Sequence, residues 1–476
     1  MKDISYFENY KSKSYLHLDK KTSIKHVYKL IQDRKWVSKH AFLPFIHYSI
    51  NLEKYTYKDG HSNKTYKNLK MKKGFNQGQI KYKKPKTREI NYASHIDSYI
   101  YKYYGDELNE KYNEYALKNG FDENSLAYRN NKKGKNNIHF ARDVFENVIK
   151  TENALIVALD FSSFFDKISH KYLKDSIKEL LQVEELSADL YNVFKSITKF
   201  HYIEKTDLDN YLQEVYGEEE LKDLLKDRKI KNYMDLKIFR QLIKKKKIIV
   251  KPNVNSYGIP QGSGMSAVCS NIRLINFDKE MNEWSKENNG LYRRYCDDLI
   301  WVIPNVNEAD MQSVVEQIYS IIQKYDDLHL QKEKTIILKY SNRKMLKLNG
   351  ESSKLDYLGF VFDGKVIRIR EKSLFKYYNR AYSKTKVLAR YRLVYGRKAY
   401  MKNLYGLYSH LGRKYKGKGN FISYAYKAQK LMEELPVEVQ IRKQVKRHWN
   451  KIHKRLEVNK KEYINKVLKR QSIFTV

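Results

Sequence analysis

ENALIVALDFSSFFDKISH, residues 152–170, decides how this chain is read. NALIVAL reads as a buried strand by its continuous apolar run. Asp160 closes it. A carboxylate at the end of a buried strand loses hydration, so its presence there asks for a reason. Serines and phenylalanines then turn the chain, and the pattern predicts a helix starting near His170.

Working outward, LYRRYCDDLIWVIP, residues 291–304, has two apolar arms around Asp297-Asp298. That predicts a β-hairpin with an acidic turn. Alone, an Asp-Asp pair is best explained as turn chemistry. Adjacent carboxylates between buried strands are unfavourable without a cation, and hard oxygen donors suit Mg²⁺. Between the two segments, YGIPQGSGMSAVCSNIRLINFD (257–278) reads as a Gly-rich loop feeding a helix. Glycine there lets backbone approach a ligand. Residues 171 to about 245 read as charged and mostly helical.

The flanks are plainer. Residues 1 to about 80 read as helices with basic loops, with HAFLPFIHY (40–48) as an inward-packing aromatic patch. IKYKKPKTREI (80–90) predicts two short strands around a basic loop. A long helix is expected from near His95 to Leu117. VVEQIYSIIQKY (314–325) predicts an amphipathic helix and KTIILKY a strand. DYLGFVFDGKVIRI (356–369) predicts a second hairpin turning at Asp363-Gly364, and the rest reads as helical. The fold class is therefore α+β, a small sheet backed by helices on one face. Expected divisions are 1–150, 151–370 with a helical insertion at about 171–250, and 371–476.

The 476-residue chain carries 94 Lys and Arg against 55 Asp and Glu, a net charge of +39. Residues 371–476 hold 28 Lys and Arg against 6 Glu and no Asp. A basic region of this kind suits a polyanion, with nucleic acid the usual partner. A lysine-rich surface from biased composition is the bland alternative. Cys269 and Cys296 offer neither a disulfide framework nor zinc spacing. No apolar stretch is long enough for a bilayer, so no membrane partner and a cytoplasmic location are expected.

Five motifs, in order, resemble those of bacterial reverse transcriptases across about residues 80–370: DFSSFFD (160–166), GIPQGSGMSA (258–267), YCDD (295–298), LQKEKT (330–335) and YLGFVF (357–362). Gln331 departs from the family's common Asn. The resemblance implies a right-hand polymerase fold of fingers, palm and a basic helical thumb. It also implies an RNA-directed DNA polymerase using two Mg²⁺ ions, with Mn²⁺ as a substitute. Asp160 and Asp297 would be the main metal ligands, with the Phe161 carbonyl nearby and Asp298 in support. Phe165 would be the gate against the ribose 2′-hydroxyl, although Phe164 and Phe165 could both be core. Gln261 and Gly262 would lie under the incoming nucleotide. Lys84, Lys86 and Arg88 would meet its triphosphate, or simply form a solvated basic hairpin. Lys334 would protonate the pyrophosphate or neutralise it.

Residues 94–108, 125–148 and 367–378 are similar to stretches of abortive-infection and defence-associated enzymes. That implies an antiphage role with a noncoding RNA as template, a DNA product, dNTP substrates, and a homo-oligomer or protein partner. Retron enzymes, a template-independent or protein-primed DNA polymerase, an RNA-binding protein on a polymerase fold and a two-metal nuclease are the alternatives.

Overall fold

The computed structural model describes residue 10 and residues 14–57, 80–395, 401–412 and 419–473. Helices Ile24–Gln32 and Arg34–Lys39 come first among the described elements. Strands β1 (Phe45–Tyr57) and β2 (Ile80–Tyr92) then pair antiparallel along their length. Both depart from the expected pattern. The aromatic patch runs into a strand rather than a helix. Phe45 and Ile46 are buried, but Tyr48 is exposed. The basic segment 80–90 is part of one strand, not two. Its Pro85 is tolerated for two reasons. β2 is a sheet edge, and the register shifts between Leu52 and Lys54, opposite Lys83 and Lys86. A proline without an N–H fits an edge and an irregularity.

The long helix appears as His95–Lys118 and is followed by helix Asn137–Thr151. Strand β3 (Ala154–Asp160) follows. After helices His170–Leu181 and Ala188–Thr198, β4 (His201–Glu204) pairs parallel with β1. Three helices, Lys205–Tyr216, Glu218–Lys226 and Leu236–Lys244, form the insertion before β5 (Lys251–Pro252). The first sheet thus has the order β2-β1-β4-β5.

Helices Ser266–Arg273 and Ile275–Glu287 lead to β6 (Leu291–Tyr295) and β7 (Asp298–Pro304). Helix Met311–Gln323 precedes β8 (Ile336–Ser341) and β9 (Lys344–Lys347). The central sheet, β6-β7-β3-β8-β9, puts β3 in the middle. This explains the apolar run. Leu155, Val157 and Leu159 enter one core, while Ala154 and Ile156 enter another. Each fully buried aliphatic side chain contributes roughly 1.5–3 kcal/mol. Helices cover both faces rather than one. Ile138, Val144, Phe145 and Val148 of helix Asn137–Thr151 close the second face.

The expected second hairpin is a meander of β10 (Leu355–Tyr357), β11 (Phe360–Phe362) and β12 (Val366–Ile369). Gly359 and Gly364, both at positive φ, make its two turns possible. β13 (Glu438–Val439) adds in parallel to β12. Helices Glu371–Tyr395, Met401–Tyr408, Phe421–Met432 and His448–Ile473 complete the C-terminal part. The architecture is α+β: a central five-stranded sheet with helices on both faces, a four-stranded sheet built on β1 and β2, and a C-terminal part made mostly of helices.

Candidate active site

The antiparallel register of β3 and β7 sets Asp160 directly opposite Asp298. Tyr295 pairs with Asp298 across the β6–β7 hairpin, so its two-residue turn is Cys296-Asp297. The acidic turn is therefore shifted by one residue from Asp297-Asp298. Cys296 takes the left-handed conformation, with φ 62°. The Phe161 N–H donates to the Asp297 carbonyl at 3.1 Å, tying the turn to the end of β3.

Directly opposed like charges destabilise a sheet. Burial is the largest cause pushing the Asp298 carboxyl up to about 7, followed by Asp297 and Asp160. Lys334 offsets part of this. Its ammonium donates to both oxygens of Asp160 at 2.7 Å. Two backbone bonds aim it: Ser162 N–H to the His329 carbonyl at 2.7 Å, and Gln331 N–H to the Asp160 carbonyl at 2.8 Å.

Among the described residues, no three Asp, Glu, His or Cys side chains already converge into a metal cage. The donor chemistry nevertheless fits Mg²⁺. Three neighbouring carboxylates are short of positive charge, and the one cation on Asp160 is a lysine that is 43% exposed.

A buried scaffold supports the turn, and sequence reading missed it. Arg294 and Asp278 are both fully buried and pair through two bonds of 2.8 and 2.5 Å. Arg294 also donates to the Cys296 carbonyl at 3.1 Å, to Asn271 and to Ser125. Tyr292 donates to Asp278 at 2.8 Å. The available signal was an arginine at position 294 on a strand whose neighbours face the core.

Beyond β3, Phe161 and Phe164 are buried and pack on each other at 5.6 Å. Phe165 is half-buried, and its carbonyl accepts from Ile259 N–H at 3.0 Å. Phe164 is thus core, while Phe165 borders the 258–262 loop. The Gln261 amide donates to Asp166 at 3.0 Å. The Gln261 carbonyl accepts from Asn91 N–H at 2.9 Å. Gly262 has φ +126°, and a Cβ there would meet the Asn91 carbonyl at 2.4 Å. The close approach it permits in the structure is to β2 backbone. Arg88 is exposed on β2, three residues before Asn91. Lys84 and Lys86 lie on the same strand, and their side chains fall outside the described residues.

No protein-family model matches the chain, and no curated protein matches it. Solved structures do. Apo telomerase from Candida tropicalis, truncated from its C-terminal domain, aligns over 59% of this chain and 52% of its own, at 14% identity and TM-score 0.39. Telomerase from Candida albicans, in complex with a TWJ fragment of telomeric RNA, aligns over 78% and 54%, at 12% identity and TM-score 0.39. The RNA-dependent RNA polymerase of a human picobirnavirus aligns over 59% and 41%, at 12% identity and TM-score 0.32. The chain spans about half the length of the telomerase chains. At these identities and TM-scores, any functional reading rests on the chain's own geometry. No helix among the described residues is long and apolar enough to cross a membrane.

Proposed function

We propose that this chain is an RNA-directed DNA polymerase, a nucleotidyltransferase that extends a 3′-hydroxyl with dNTPs. The observation that carries this is the in-register placement of Asp160 opposite Asp298, with Asp297 in the adjoining turn. Asp160, Asp297 and Asp298, with the Phe161 carbonyl, would hold two Mg²⁺ ions, or Mn²⁺ in their place. Such ions activate the attacking hydroxyl and neutralise the leaving pyrophosphate.

The chain's own residues do the rest. Arg88, with Lys84 and Lys86, binds phosphate oxygens, arginine in bidentate fashion. Gln261 and Gly262 support the nucleotide from below. Phe165 presses on C2′ of the sugar and excludes a ribose hydroxyl. Lys334, released from Asp160, holds a proton or positive charge at the pyrophosphate. The basic C-terminal helices grip an RNA template. The reading extends to bacterial antiphage defence with an associated noncoding RNA, on the resemblance of residues 94–108, 125–148 and 367–378.

Asp166 favours a second reading, ribonucleotide polymerisation. It is exposed beside Phe165 and already accepts a hydrogen bond from Gln261. A carboxylate there can instead accept from a 2′-hydroxyl. Purified protein with its co-purifying RNA, Mg²⁺ and either labelled dNTPs or labelled rNTPs separates the two. Incorporation of dNTPs, lost in Asp297→Ala/Asp298→Ala, supports the first reading. Incorporation of rNTPs alone supports the second, and none of either sinks both.

A further inference from the structure

Tyr128 has no part in the roles assigned above. Its φ is +60°, a conformation that bulky residues rarely adopt. Among the described residues it is the only aromatic at positive φ. Strain of this kind persists only where the surroundings over-determine it, and they do here. The Leu126 N–H donates to the Arg294 carbonyl at 2.9 Å. The Asn271 amide donates to the Ala127 carbonyl at 2.8 Å, and the Asn109 amide to the Tyr128 carbonyl. Next in sequence, the buried Arg129 donates to the Ser125 carbonyl at 3.0 Å and pairs with Asp122.

All these bonds hold backbone or neighbours, and none needs the Tyr128 ring. Tyr128 as a whole residue is 48% exposed. Its segment lies against β6, which leads into Cys296-Asp297: Ser125 bridges to Arg294, and the Leu126 N–H bonds the Arg294 carbonyl. A flat aromatic surface is thus held at the rim of the catalytic turn at a conformational cost that glycine would avoid. Aromatic faces recognise nucleotides by stacking and by packing on the sugar, regardless of base.

We propose that Tyr128 is a nucleic-acid contact, its ring packing against the last nucleotide of the strand whose 3′ end lies at Asp297. This rests on the polymerase reading above. The test measures binding of a recessed primer–template duplex by fluorescence anisotropy, at salt high enough to weaken phosphate contacts. Wild type, Tyr128→Gly and Tyr128→Phe are compared, with melting temperature and single-nucleotide incorporation alongside. Expected are an unchanged or raised melting temperature for Tyr128→Gly and an about tenfold weaker duplex affinity. Tyr128→Phe should bind within about twofold of wild type. Equal binding by all three variants overturns the proposal, as does an equal loss in Tyr128→Phe. A lower melting temperature for Tyr128→Gly also overturns it, since the ring would then be structural. Incorporation by wild type with no dependence on Tyr128 defeats this proposal alone. Tyr128-dependent binding without any incorporation defeats the polymerase reading and leaves the contact standing.

Discussion

The Lys334 ammonium lies 2.7 Å from both oxygens of the Asp160 carboxylate, and so occupies donors that a divalent ion would need. Lys334→Ala therefore has two effects of opposite sign. Mg²⁺ should bind more tightly, because no ammonium competes for Asp160. Catalysis should nevertheless slow by about 10²–10⁴-fold, the usual range for losing a positioned proton donor. Mg²⁺ titration and single-turnover incorporation check both. Unchanged Mg²⁺ affinity would contradict the competition.

Asp298 makes stability depend on pH. Its folded carboxyl sits near 7, raised above the ordinary carboxylate range by burial, Asp297 and Asp160, with Lys334 opposing. A raised folded value means that the native state holds its proton longer than the unfolded chain. Stability is then full near pH 4 and falls as pH rises toward about 7. In EDTA, Asp298→Asn should flatten this slope and melt higher than wild type at pH 8. Added Mg²⁺ should stabilise wild type more than Asp298→Asn. Melting curves across pH 4–8 decide it.

Gly262→Ala places a Cβ 2.4 Å from the Asn91 carbonyl at a φ of +126°. Strain of about 1–3 kcal/mol follows, relieved by moving β2 off the 258–262 loop. A lower melting temperature and a dNTP KM raised about tenfold are expected in steady-state kinetics. A wild-type KM would show that the loop does not carry the nucleotide.

Arg294→Met strands Asp278 as an unpaired buried charge, a loss of about 3–5 kcal/mol. It also removes the donor to the Cys296 carbonyl. Denaturant unfolding should show most of that loss. The double variant Arg294→Met/Asp278→Leu should recover much of the stability but not the activity, because the turn carrying Asp297 stays unpropped.

The central sheet was legible because its signals are local. An apolar run of strand length ending in Asp160, and two apolar arms around an acidic pair, each fix a strand without outside help. Alternation of Leu155 and Ile156 between two cores could not be read, since a run apolar at every position does not say what covers either face. The hairpin turn was misplaced by one residue because any two of Tyr295–Asp298 can serve, and the buried Arg294–Asp278 pair selects Cys296-Asp297. β2 departs from the expectation because Pro85 and the lysines around it look like a loop in isolation. Only the partner strand β1 shows an edge position and an irregularity that accommodate them. Among the site residues, Gln261 and Gly262 were visible as a motif, whereas their backing by Asn91 is a long-range contact with no sequence signal.

The parallel pairing of Phe45–His47 with Tyr202–Glu204 has a consequence during synthesis. β1 and β2 leave the ribosome well before β4 exists. Until His201–Glu204 emerges, one side of β1 presents unpaired backbone groups beside buried-type side chains such as Phe45 and Ile46. Exposed strand edges of this kind recruit other nascent chains. Yield of active protein should therefore fall as growth of the chain from β2 to β4 slows, and chaperone cover of β1 would raise it.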